Sequence, residues 1–190
     1  MNDQPTKQRG IFPTIIIFAV VVLVIGFVAN YFWNRTPAAP TNVAITVPVK
    51  FDQRKWNLAY QNADKTISVA EYVPEGQTID NWKELLTVQA FPHSDTNASP
   101  ETLATAVKIS IQQQCPKQFA DLGTVKAGDQ VFYEWFVKGC AKVSDQHEIA
   151  RILTSGNSYY SIHYAVRQSA LTNAERAKWV ALIGSVALPQ

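Results

Sequence analysis

An uninterrupted apolar segment near the amino terminus constrains this chain more than any other feature. Residues 14–33 (TIIIFAVVVLVIGFVANYFW) contain no charged side chain. At about 1.5 Å of rise per residue, a helix of this length spans about 30 Å, the hydrocarbon thickness of a bilayer. The segment ends in Tyr31, Phe32 and Trp33, and aromatic side chains favour the headgroup layer. We therefore predict a transmembrane anchor over residues 11–33, with residues 14–33 in contact with membrane lipid.

A cleavable signal peptide is the alternative to a permanent anchor. Signal peptides have a shorter apolar core, of about 7–15 residues, followed by small residues at the cleavage site. The core here is longer, and Pro37 stands where the first small residue would be needed. A buried core helix is disfavoured because a globular helix of this length carries a polar face. These comparisons favour an uncleaved, single-pass anchor.

The charges beside the anchor predict its orientation. Lys7 and Arg9 precede it and Arg35 follows it closely, and cationic residues accumulate on the cytoplasmic side. We therefore expect a cytoplasmic tail over residues 1–10 and an extracytoplasmic domain over residues 43–190.

A short stalk is predicted between the anchor and that domain. Residues 34–42 (NRTPAAPTN) contain Pro37 and Pro40 among small side chains. Prolines favour an extended, semi-rigid course, which would lift the domain off the membrane surface.

The charge balance gives no sign of a nucleic-acid partner. The chain has 17 Lys plus Arg and 15 Asp plus Glu, a net charge of +2. No basic run exists that would track phosphates, and no polybasic cluster flanks the apolar segment.

The two cysteines, Cys115 and Cys140, both lie in the predicted domain. An even pair outside the anchor suits an oxidising compartment. A bridge between them would close a loop of about 26 residues, worth about 3.5 kcal/mol in the chain-entropy model. The alternative is a pair of buried free thiols that behave as small apolar side chains. We predict the disulfide because it agrees with an exported domain.

Apolar alternation and turn residues predict a series of strands. Gln61–Lys65 and Ser155–Asn157 supply the turns of two predicted hairpins. The strands are predicted at residues 43–47, 56–60, 66–73, 85–91, 131–138, 149–154 and 159–166.

Capping residues predict two helices. Ser99 as N-cap and Pro100 as first helical residue favour a helix over residues 100–115. Thr172 and Glu175 have the spacing of a capping box that begins a second helix. Because short hairpin loops imply antiparallel pairing, we predict one α/β (α+β) domain, an antiparallel sheet with two helices packed on it.

The sequence carries no local motif for catalysis, a metal or a cofactor. The histidines His93, His147 and His163 have no metal-ligand spacing and no cysteine neighbour. Neither a G-x-S-x-G turn nor a glycine-rich phosphate loop is present. His163 shares a strand face with Tyr159 and Ser161, where we expect a structural role. We therefore expect a protein that is not an enzyme.

Two glutamates, Glu71 and Glu134, interrupt apolar strands. We expect them to face solvent or a sheet edge. A pair of carboxylates that meet in space, as in glycosidases, stays open as an alternative.

Aromatic side chains are more plentiful than one core needs. In residues 131–137 (VFYEWFV) both faces of the strand are bulky. Because aromatic residues dominate interface hot spots, Tyr133, Trp135 and Tyr159 are candidate partner-binding residues. The alternative is a sheet that is covered on both faces.

Residues 71–89 (EYVPEGQTIDNWKELLTVQ) resemble a segment of short, uncharacterised envelope proteins of Gram-negative bacteria. The order of predicted elements is similar to the Mog1/PsbP-like fold, an antiparallel sheet between helices that serves mostly in binding. The resemblance implies a bacterial inner-membrane protein with a periplasmic domain, but carries no catalytic residue.

The expected function is therefore a periplasmic protein-binding or scaffold domain, an accessory part of an envelope assembly such as a secretion system. One alternative is a membrane-tethered binder of a small molecule, lipid or cell-wall fragment, in a cleft between sheet and helix. Another is a hydrolase whose groups meet only in space, with His163 and Glu134 as candidates.

Overall fold

The strands that the structure describes form one antiparallel sheet. The computed structural model describes residues 51–63, 67–92, 98–167 and 170–186. Seven strands within these ranges have the order β1-β2-β3-β7-β6-β5-β4, with every neighbouring pair antiparallel. Their bounds are β1 Trp56–Ala63, β2 Ser68–Pro74, β3 Glu84–Pro92, β4 Phe119–Ala127, β5 Gln130–Val137, β6 Gln146–Ser155 and β7 Ser158–Val166.

Within the same described ranges, two helices, α1 (Pro100–Gln114) and α2 (Asn173–Ser185), pack on opposite faces of this sheet. Helix α1 contacts β4, β5 and β6, and α2 contacts β6 and β7. Ser99 caps α1, and both hydrogen bonds of the capping box between Thr172 and Glu175 are present at α2. The predicted antiparallel α+β domain with two helices is confirmed.

Some predictions fall on other parts of the chain. The anchor at residues 11–33 and the strand at residues 43–47 lie outside the described residues. No helix in the described ranges has the length and apolarity needed to cross a membrane. Strand β4 was not predicted, so three strands precede α1 and four follow it within the described residues.

Strand β7 alternates between the two cores. Tyr160, Ile162 and Tyr164 face α2, and the Tyr164 ring stacks on Trp179 with 3.3 Å between centroids. Tyr159 faces the other way and packs in the core beneath α1. The sheet therefore has an apolar layer on each face.

Arg151 joins the end of α2 to the sheet. Its Nε donates to Gln130 Oε1 at 2.5 Å, and its Nη1 donates to the carbonyl oxygens of Ile183 and Val186 at 3.0 and 3.2 Å. The last carbonyls of a helix have no intrahelical donor, so the guanidinium supplies one. Burial lowers the pKa of Arg151.

Replacing Arg151 with Met should lower the free energy of unfolding by about 2 kcal/mol, because buried acceptors lose their donors while the aliphatic bulk remains. Urea denaturation of the full chain measures this loss. Lys55→Met is the matched control, since Lys55 makes an exposed ion pair with Glu75 and should cost less than about 0.5 kcal/mol. Equal losses in the two variants would contradict the helix-capping role of Arg151.

Candidate functional site

A groove of about 260 Å³ lies between helix α1 and strand β4. Its lining residues are Thr105, Lys108, Ile109, Gln112, Phe119 and Asp121. Strand β4 is the last strand of the described sheet and pairs only with β5 there. No other described strand pairs with its outer edge, and such an edge carries backbone donors and acceptors that can pair with an added strand.

Polar contacts fix α1 next to β4. Lys108 Nζ donates to both carboxylate oxygens of Asp121, at 2.9 and 2.7 Å, and to Thr124 Oγ1 at 2.7 Å. Burial opposes ionisation of Asp121, but Lys108 and the Gly123 amide outweigh it and lower the pKa of that carboxyl. Lys126 forms a second ion pair, with Glu101 of α1. Two ion pairs therefore join α1 to β4 beside the groove.

Three large apolar side chains on α1 and β4 are exposed, and Val125 is on the face opposite to α1, since it pairs with Phe132 of the α2 core. Ile109 on α1 is 40% exposed, and Leu122 and Val125 on β4 are 42% and 66% exposed. Leu122 lies at a bulge, where the register with β5 shifts between Asp121 and Gly123. Natural edge strands avoid uncovered apolar side chains because these promote unwanted pairing.

The three aromatic residues predicted to bind a partner lie elsewhere. Tyr133 and Trp135 are 1% exposed and Tyr159 is 2% exposed, all in the core beneath α1. The Tyr159 hydroxyl donates to the carbonyl oxygen of Ala98 at 2.5 Å. The expectation that these side chains form a surface is corrected, because α1 covers the face that carries them.

A buried polar network lies on the same face of β6 and β7. Ser161 Oγ is 2.7 Å from His163 Nε2, and His163 Nδ1 is 2.8 Å from Glu148 Oε1. Trp135 Nε1 donates to that same Glu148 oxygen at 3.0 Å. The strand pattern placed Ser161 and His163 on one face, but it gave no signal for Glu148, which comes from the neighbouring strand.

The Tyr133 ring contacts the His163 ring of this network, because the residue between them in the sheet is the small Ala150. Ala150 of β6 stands between Tyr133 and His163 in register, and the two rings meet edge to face at 6.2 Å. Burial raises the pKa of Tyr133 well above its usual value, and Glu148 adds to this, while an interaction with the Ser161 hydroxyl acts in the opposite direction. This contact with Ser161 falls short of ordinary hydrogen-bond geometry.

Glu71 of β2 lies on the same face of the sheet as this polar network. Thr87 lies between Glu71 and His163 in register. Burial raises the pKa of Glu71 to about 7, against the opposing effects of His163 and a hydrogen bond from Thr87. Glu71 was expected to face solvent or an edge, but it is buried.

Glu134 is also buried, on the opposite face, and it joins α2 to the sheet. Its carboxylate contacts His147 Nε2 at 2.7 Å and accepts from Arg176 Nε at 2.5 Å. The Leu171 amide donates to His147 Nδ1 at 3.2 Å, so Nε2 carries the proton of a neutral ring and donates to Glu134. These contacts give Glu134 and His147 structural roles and correct the solvent-facing expectation for Glu134.

The remaining residues singled out from the sequence are the two cysteines and His93. Cys115 and Cys140 form the predicted disulfide, with a Cα–Cα distance of 5.7 Å. His93 lies outside the described residues. Within the described ranges, no three His, Cys, Asp or Glu side chains are arranged to hold a metal ion.

A protein-family model matches residues 43–185. The chain belongs to this family. No curated protein matches it in sequence.

Two solved structures are similar to the chain at low identity. The extracellular domain of PknH from Mycobacterium tuberculosis is 10% identical, over 66% of this chain and 64% of that one, with a TM-score of 0.37. The PsbP protein CyanoP from Synechocystis sp. PCC 6803 is 11% identical, over 68% of this chain and 91% of that one, with a TM-score of 0.39. These likenesses are too distant to bear on function.

Proposed function

We propose that this domain binds an extended segment of another envelope protein along the outer edge of β4, as an accessory or scaffold part of an envelope assembly. Residues 11–33 hold it beside the inner membrane, with the domain in the periplasm. The Cys115–Cys140 disulfide supports that location, since such bonds persist in oxidising compartments. The open edge of β4 next to a groove is the observation that carries the proposal.

An open edge and an adjacent groove together suit an added strand. Main-chain hydrogen bonds to β4 would supply affinity, and alternate side chains of the added strand would point toward the groove. At about 260 Å³ the groove is smaller than the usual range of about 300–1,000 Å³ for drug-sized ligands. A single side chain of a peptide therefore fits it better than a separate small molecule.

The chemistry of the groove defines the side chain that it would accept. Lys108 is already occupied by Asp121 and Thr124, so it offers little to an anionic group. Ile109 and Phe119 supply apolar surface in the groove, and Leu122 is exposed on β4 itself. The partner segment should therefore be an extended strand with an apolar or aromatic residue opposite Ile109.

Replacing Ile109 with Asp should weaken binding of the partner segment at least tenfold, because the charge would have to be desolvated against that apolar residue. A photo-crosslinker at position 109 in intact cells would first identify the segment, which is then made as a synthetic peptide. Fluorescence titration of the full chain with this peptide measures the change in affinity.

Leu58→Asp is the matched control, since Leu58 is 51% exposed on β1 at the opposite edge of the sheet. It should leave the affinity unchanged. Equal affinity of the Ile109→Asp variant and the unaltered chain, or crosslinks from position 58 to the same segment, would overturn the proposal.

A further inference from the structure

We propose that Ser161 is the nucleophile of a Ser161–His163–Glu148 triad that transfers short acyl groups from esters. This activity is independent of the β4 edge, because the three residues lie on the sheet face rather than at its margin.

The hydrogen bonds follow the order that nucleophilic catalysis requires. His163 Nδ1 lies 2.8 Å from Glu148 Oε1, which leaves Nε2 facing Ser161 Oγ at 2.7 Å. When Nδ1–H donates to the carboxylate, Nε2 carries the lone pair and accepts the Ser161 proton. Trp135 Nε1 donates to the same Glu148 oxygen at 3.0 Å and helps to hold the carboxylate in place. A nucleophile, a base and an orienting acid are thus contiguous.

Tyr133 supplies the donor that such a site needs for a developing oxyanion. Its hydroxyl is buried next to the network and lies close enough to Ser161 for the Ser161 hydroxyl to oppose the rise in its pKa. Burial keeps this phenol protonated at neutral pH. It is therefore ready to donate to a negative oxygen formed beside Ser161.

The accessible surface limits the size of the acyl group. Ser161 is 3% exposed, and the side chains of His163 and Glu148 are 12% and 11% exposed. His163 and Glu148 are the more exposed of the three residues, so a substrate must approach from their side, and we expect only a short acyl group such as acetyl to reach Ser161.

The reaction has two steps, acylation of Ser161 and hydrolysis of the acyl-Ser161 intermediate. Ser161 Oγ bonds to the ester carbonyl carbon as its proton passes to His163 Nε2, and the carbonyl oxygen, now negative, accepts from Tyr133. The carbon–oxygen bond to the alcohol then breaks, and that oxygen takes the proton from Nε2, leaving acyl-Ser161. Water attacks the acyl carbon with His163 again as base, which releases the carboxylic acid and restores Ser161. Glu148 stabilises the imidazolium that forms on His163.

The test uses the full chain with p-nitrophenyl acetate. We expect release of p-nitrophenol, an acetyl mass increment on the peptide that contains Ser161, and loss of both in Ser161→Ala. Tyr133→Phe should lower kcat by about 100- to 1,000-fold with little change in KM, as expected for a lost oxyanion donor. Ser158→Ala, at the start of the same strand, is the matched control and should react like the unaltered chain.

Peptide mapping of the unaltered chain keeps the test decisive even if a variant fails to fold. Absence of label on Ser161 in the folded, unaltered chain would overturn the proposal. Ester hydrolysis that survives in a folded Ser161→Ala variant would do the same, and so would label confined to another residue.

Discussion

Reduction of the Cys115–Cys140 disulfide should lower the free energy of unfolding by about 3.5 kcal/mol, because it frees a closed loop in the unfolded chain. The two cysteines are 25 residues apart, and Cys115 is fully buried at the end of α1. The bond therefore joins the end of that helix to the segment after β5. Denaturant unfolding of the full chain, with and without reductant, measures the difference.

Cys115→Ser separates the bond from other effects of the reductant. This variant should be less stable than the unaltered chain under oxidising conditions and close to it under reducing conditions. If the unaltered chain unfolds at the same denaturant concentration with and without reductant, the bond does not stabilise the domain.

Glu71→Gln should raise the free energy of unfolding by about 3 kcal/mol at pH 8 and change it little at pH 4.5. Burial raises the pKa of Glu71 to about 7 in the folded chain, against a usual value of 4.5. Between these values the unfolded chain releases a proton that the folded chain keeps, so the unaltered protein loses stability as pH rises from 4.5 to 7. Above pH 7 this loss is complete. The amide side chain of the variant never ionises, so the variant escapes this loss.

Denaturation of both chains at several pH values measures this difference. The groups near Glu71 that oppose its raised pKa, His163 and Thr87, are unchanged in the variant. Glu75→Gln is the control, because Glu75 is exposed in a surface ion pair, and its effect should be small at every pH. A gain from Glu71→Gln that does not vary between pH 4.5 and pH 8 would contradict the raised pKa.

Most of the fold could be predicted because its signals are local. The turn at Ser155–Asn157 and the caps at Ser99 and Thr172 act over three or four residues, and they set the ends of β6, β7 and both helices. Strand β4 could not be predicted in this way. It contains Asp121, Gly123 and Lys126, which have low β-propensity, and exposure of its side chains removes the apolar alternation. Its strand conformation comes from pairing with β5, and not from a pattern in its own sequence.

The polar network could be predicted only in part because it depends on register. Ser161 and His163 share a face by alternation along one strand. Glu148 and Tyr133 reach them from two other strands, and only the pairing of β5, β6 and β7 brings them together. The burial of Glu134 likewise depends on Arg176, which arrives with α2. A local sequence pattern predicts that a lone glutamate is exposed to solvent, because it contains no information about partners that are distant in the sequence.

The same dependence on distant contacts explains why the burial of the aromatic residues could not be predicted. A strand that is bulky on both faces fits either a surface or a doubly covered sheet. The core position of Tyr133 and Trp135 follows from the crossing of α1 over β5, a contact between segments about 25 residues apart. The exposed apolar side chains occur instead on β4, which has no strong pattern of its own.

Hydrogen–deuterium exchange of β4 amides in the full chain, alone and with the crosslinked partner segment as a peptide, tests strand addition most directly. We expect the outward-facing amides of Phe119–Ala127 to exchange quickly in the free chain and to slow at least tenfold on binding, with β1 amides unchanged. Equal exchange of the β4 amides with and without saturating peptide would contradict the proposal that a partner strand pairs with this edge.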